Sequence, residues 1–111
     1  MIFSESLKKN SDFTNVYRHG YSKANKHFVM YVYHNHSDRN RIGISVSKKV
    51  GNSVVRHHLT RLIRESYRLN EEMFISGIDI VVVAREQSAA ASFDDVQNSL
   101  LHLANLHKVT R

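Results

Sequence analysis

The 111-residue sequence contains no cysteine, no proline and no tryptophan, and only four glycines. Without cysteine there is no disulfide, no thiol nucleophile and no zinc ribbon, which suits a reducing compartment. Without proline, and with no Gly/Ser linker, repeat or low-complexity block, nothing marks an internal boundary, so residues 1–111 are read as one domain. Acidic residues are scarce as well: ten Asp and Glu stand against sixteen Lys and Arg, for a formal charge of +6 and a pI near 9.8. Such an excess draws polyanions, whether nucleic acid or an anionic membrane surface. No apolar run approaches the length of a membrane span, and the start MIFSESLKKN lacks the basic-then-apolar order of a signal peptide. The expected location is the cytoplasm.

What is present is enough for a core, since 41% of the residues are hydrophobic. Phe13, Val16 and Tyr17 at helical spacing predict a helix over Ser11 to His19, with Ser11 as N-cap and Gly20 past its end. FVMYVY, Phe28 to Tyr33, reads as a strand, His34 to Asn40 as a loop, and Ile42, Ile44 and Val46 as the alternating residues of a second strand paired with the first in a hairpin. IDIVVVA, Ile78 to Ala84, is the most apolar run and reads as a central buried strand suited to a parallel neighbour. Ser92 with Asp95 forms a capping-box signature ahead of a terminal helix whose apolar stripe is Phe93, Val96, Leu100, Leu103 and Ala104. The order α-β-β-α-β-α implies an α/β sandwich in one domain.

The helix expected from Asn52 to Leu69 carries the chemistry. At 100° per residue Val55, Leu59, Leu62, Ile63, Ser66 and Leu69 form its core face. On the opposite face His57, Arg61, Arg64 and Arg68 fall within roughly 60° of one another, with Arg56 and Thr60 beside them and only Glu65 near the stripe. Like charges one turn apart repel by about a few tenths of a kcal/mol, a cost that interleaved carboxylates ordinarily relieve. A plain solvated face is the bland reading. Arginine outnumbering lysine favours phosphate recognition, because the planar guanidinium binds two phosphate oxygens at once. Lys48 and Lys49 lead to a turn at Gly51, with Asn52 or Ser53 as helix cap. That turn lacks the glycine count and the G-K-[ST] ending of a nucleotide-binding loop.

The run Gly43-Ile44-Ser45-Val46-Ser47-Lys48-Lys49-Val50-Gly51-Asn52-Ser53-Val54-Val55-Arg56, followed by Arg61, Arg64 and Glu65, resembles the bacterial ribonuclease P protein family. The family pattern K-K-x-G-N-A-V-x-R-N-R-x-K-R-x-x-R-E keeps its spacing from Lys48 through Glu65. LKKNSDFTNVYRHGYSKANKHFVMY and IDIVVVARE look like the family's first helix and strand and its later buried strand, so the likeness covers nearly the whole chain. The resemblance implies a single α-β sandwich with a central mixed sheet, ribosomal protein S5 domain 2-like, with a left-handed crossover. It implies a subunit that breaks no bond itself and has no catalytic residue. A large RNA, with the magnesium ions it holds, cleaves precursor transfer RNA. The family's roles carry over as follows: Lys48, Lys49, Arg56, His57, His58, Arg61, Arg64 and Arg68 for the catalytic RNA, and Phe13, Tyr17 and Tyr31 for the single-stranded 5′ leader. Aromatic rings suit a leader of variable sequence because stacking does not demand a particular base.

His57, His58 and Thr60 depart from the family pattern, standing for asparagine, arginine and lysine. Two formal charges are lost, and imidazoles near phosphate regain charge on protonation, so RNA affinity is expected to depend on pH. Pairs such as His57 with His58 and His34 with His36, without cysteine, do not make a preformed zinc site, and no nucleophile-elbow pattern surrounds a serine. Two other functions compete: a generic RNA-binding module, such as a ribosome-associated factor, which would bind structured RNA without leader dependence, and a protein-only nuclease, which would cleave with magnesium alone.

Overall fold

The computed structural model describes residues 1–111. Five strands and three helices follow the order β1 (Ser4–Ser6), α1 (Asn10–His19), β2 (Tyr21–Ala24), β3 (Phe28–His34), β4 (Asn40–Ser45), α2 (Ser53–Asn70), β5 (Ile78–Ala84) and α3 (Phe93–Leu106), with short 3-10 turns at Glu71–Met73 and Glu86–Ser88. They form one mixed sheet of order β1-β4-β5-β3-β2. β5 runs parallel to β4 and antiparallel to β3, and β1 runs parallel to β4. The α/β class and the mixed central sheet are as expected.

The expected hairpin of β3 and β4 does not form, because β5 lies between them. The reason is burial: every side chain of β5 except the half-buried Val83 is enclosed, so this strand needs a neighbour on each edge and a layer on each face. Crossing over β5 takes about 10 Å, two strand spacings. Residues 35–39 are ample for it, and they are pinned over the start of β5 by the bond from the Asn35 amide to the Gly77 carbonyl (2.9 Å). Gly77 has φ +87, and a Cβ on it would come within 2.6 Å of the Ser37 carbonyl oxygen, so a side chain would strain this turn.

The sheet has two different faces. One carries Phe28, Met30, Val32, Ile42, Ile78, Ile80, Val82 and Ala84, and these join Leu59, Ile63, Tyr67, Val96, Leu100 and Leu103 of α2 and α3 in the main core. The other face is covered only by α1, through a small cluster of Leu7, Val16 and Val81 edged by Phe13, Tyr31, Tyr33 and Val83. α2 buries Leu59, Ile63, Ser66 and Tyr67, whereas Leu69 is 56% exposed. The helix is thus rolled away from Leu69 and toward Tyr67, whose hydroxyl meets Ser4 Oγ at 2.7 Å and so tolerates burial. α1 starts at Asn10 with Lys9 as N-cap and no side-chain cap, so Ser11 does not cap it. Asn52 caps α2 through Oδ1, which accepts from the Val55 amide, and Ser92 and Asp95 form the expected capping box.

Candidate nucleic-acid interface

Two surfaces on opposite sides of the sheet collect the predicted residues. On α2, His57, His58, Arg61, Arg64 and Arg68 are exposed, as are Lys48 and Lys49 in the preceding turn, while Arg56 is half-buried. Of the four ion pairs in the fold, only Arg68–Glu65 touches this face. Arg68 donates through both Nε and Nη2 to that carboxylate, which holds Glu65 below the ordinary carboxylate range. Arg61 and Arg64 have no such partner, so their guanidinium forks are free to take phosphate oxygens. Thr60 turns inward, its hydroxyl donating to the Arg56 carbonyl at 2.8 Å. The Nε of Arg56 is buried without a hydrogen-bond partner.

Across the sheet, α1 packs on β3 and β5, and the seam between them is the candidate cleft for single-stranded RNA. Phe13 and Tyr17 on α1 are 6.5 Å apart between ring centroids, and Tyr17 meets Tyr31 of β3 edge-on at 4.9 Å. The structure therefore brings all three expected aromatics together. Tyr17 is 40% exposed, whereas Phe13 and Tyr31 are half-buried and serve partly as core. Burial pushes the Tyr17 hydroxyl above its usual range, opposed by a bond with Ser45 and aided by Tyr31, so it stays a proton donor at neutral pH. The strand register explains the floor. Tyr31 lies level with Val81 and Gly43, and the next row on the same face is Val29, Val83 and Ser45. A Cβ on Gly43 would come within 2.6 Å of the Phe13 ring, so only glycine lets α1 settle there. Gly43, Ser45 and Val83 were not singled out as site residues, because their role depends on pairing that the local sequence does not display.

A third row on this face, Tyr33, Asp79 and Arg41, is structural. Asp79 is wholly buried and accepts from Arg41 Nε (2.9 Å) and Nη2 (2.6 Å) and from Asn35 Nδ2 (2.8 Å), which ties β4, β5 and the intervening loop together. The two surfaces are linked by the chain itself, since Ser45 ends β4 at the cleft and residues 46–52 carry Lys48 and Lys49 to the start of α2. No group of three or more His, Asp or Glu side chains converges in the fold. No helix is long and apolar enough to cross a membrane.

Known proteins share both sequence and architecture with this chain. A family profile described as Ribonuclease P matches residues 2–108. The ribonuclease P protein component of Lachnoclostridium phytofermentans is 58% identical over 106 residues, which cover 96% of this chain and 91% of that protein. The one from Clostridioides difficile is 50% identical over 101 residues, covering 90% and 89%. Among solved structures, the Staphylococcus aureus RNase P protein superimposes with a TM-score of 0.88 at 40% identity, covering 96% of this chain and 97% of that one. The Thermotoga maritima RNase P protein gives 0.82 at 33% identity, covering 88% and 93%. This chain belongs to the ribonuclease P protein component family.

Proposed function

We propose that the chain is the protein subunit that binds the catalytic RNA of ribonuclease P and the 5′ leader of precursor transfer RNA, and that it works in the cytoplasm. Membership of the family makes it a component of an endoribonuclease with an RNA partner. The finer division rests on one observation: an exposed arginine stripe with almost no carboxylates lies on one side of the sheet, and an aromatic cleft lies on the other. The stripe, Lys48, Lys49, Arg56, His57, His58, Arg61, Arg64 and Arg68, meets the phosphates of the folded RNA. The cleft of Phe13, Tyr17 and Tyr31 holds unpaired bases of the leader by stacking, at about 1–3 kcal/mol per base.

Bond cleavage is assigned to the RNA subunit, where magnesium ions held mainly by that RNA would activate the attacking water. The chain's contribution is binding. It fixes the leader beside the RNA, so part of the entropy of bringing substrate and catalyst together is lost before the chemical step. The test is reconstitution with a bacterial ribonuclease P RNA at low magnesium, with cleavage of precursor transfer RNA measured with and without the chain. Stimulation by the chain, and no cleavage by the chain alone, is the expected result. Equal rates with and without it would refute the reading.

A further inference from the structure

Beyond the cleft, the outer edge of the sheet carries a second groove with the chemistry of a single-stranded nucleic-acid contact. β2 is exposed along its whole length. Its Ser22 and Ala24 lie level with Tyr31 and Val29 and so border the cleft, while Tyr21 and Lys23 point to the other face. There, β2, β3 and the end of α3 enclose a groove of about 300 Å³ lined by Tyr21, Lys23, Val32, His34, Leu106 and His107 along with Ser22. Tyr21 is 76% exposed, the most open tyrosine ring among the chain's exposed large hydrophobics. No carboxylate lines the groove. His107 donates from Nε2 to the Met30 carbonyl at 2.8 Å, and burial keeps its imidazole below the usual range, so Lys23 is the fixed cation.

Most of the Tyr21 ring is in water beside an exposed lysine, and no carboxylate of the groove pairs with that cation. Stacking a base on Tyr21 and pairing its phosphate with Lys23 satisfies both groups. The groove also adjoins the cleft: Ser22 and Ala24 border the cleft on one face of β2, and Tyr21 and Lys23 of the same strand line the groove on the other. We propose that this groove holds the part of the 5′ leader that extends past the aromatic cleft, with Tyr21 as stacking platform and Lys23 as phosphate contact. The occupant is single-stranded RNA. The proposal rests on the leader reading above.

The experiment measures the affinity of the reconstituted holoenzyme for precursor transfer RNAs whose leaders lengthen one nucleotide at a time, with wild type, Tyr21→Ala, Tyr21→Phe and Lys23→Ala. Wild-type affinity rises with leader length and levels off. Tyr21→Ala matches wild type on the shortest leaders and loses roughly 5- to 10-fold on the longest, so its plateau comes earlier. Tyr21→Phe retains the plateau. Lys23→Ala flattens the salt dependence on long leaders by about 0.7 log units. Equal losses on long leaders and on substrate without a leader would assign the groove to the catalytic RNA and overturn the proposal. A Tyr21→Ala profile that follows wild type throughout would also overturn it while leaving the cleft reading intact. A wild-type affinity indifferent to leader length would overturn both.

Discussion

Asp79 and Arg41 are an unequal pair, because the carboxylate is fully buried and the guanidinium side chain keeps a third of its surface in water. Removing Arg41 strands a buried charge with only Asn35 to bond it, whereas removing Asp79 leaves a cation that reaches solvent and Asp12. Arg41→Ala is therefore expected to cost about 3–5 kcal/mol of stability and Asp79→Asn less, as read by urea denaturation. Glu71 and His107 contribute to the response to acid. Burial raises the carboxyl of Glu71, but bonds from Ser4 and from the amides of Ile2 and Phe3 outweigh it and hold the group below its ordinary value of 4.5. Its stabilising effect is present above 4.5 and is lost as pH falls through the lowered value. His107 is depressed below 6.5 by burial, so it too stabilises above that value and loses its effect as pH falls. Denaturation midpoints across pH are expected to decline first below 6.5 and again below 4.5, with His107→Gln removing the first step and Glu71→Gln reducing the second, to which Glu65 and Asp95 also contribute.

At the scale of elements, α2 separates cations that are free from one that is occupied. Arg61→Ala and Arg64→Ala are each expected to flatten the salt dependence of RNA binding by roughly 0.7–0.9 log units, and Arg68→Ala by less, because Glu65 already holds that guanidinium. Filter binding over a range of salt measures this. In α3, Ser92→Ala removes the bond from the Asp95 amide to the Ser92 hydroxyl, leaves the one from the Ser92 amide to the Asp95 carboxylate, and is expected to cost about 1 kcal/mol by thermal denaturation. These features were legible in the sequence because each is local: a cap three residues from its partner, a stripe repeating every three or four residues, a strand apolar from end to end. β1 and β2 were not. SES has no apolar alternation, and YSKA is exposed on both faces, so each is a strand only through the neighbour it pairs with. The false hairpin has the same origin, since chain proximity favoured β3 with β4 while the burial of β5 decided the order. The burial of Tyr67 is equally non-local, because its hydroxyl partner Ser4 is 63 residues away.

At the scale of the whole molecule, the sheet acts as a partition. Its apolar face and two helices form the main core and present the arginine stripe outward, while the other face is covered by α1 alone and carries the aromatic cluster of Phe13, Tyr17 and Tyr31. The two surfaces are expected to fail independently. The most direct measurement is the affinity of holoenzyme, at saturating protein, for precursor transfer RNA with and without its leader, taken for wild type, Tyr17→Ala and the Arg61→Ala/Arg64→Ala double variant. Tyr17→Ala is expected to shrink the leader-dependent gain by roughly 5-fold or more while assembling with the RNA as wild type does. The double variant is expected to need more protein for assembly, yet to keep the leader-dependent gain once saturated. If both variants lose the leader-dependent gain equally, or if neither does, the division of labour between the two faces is contradicted.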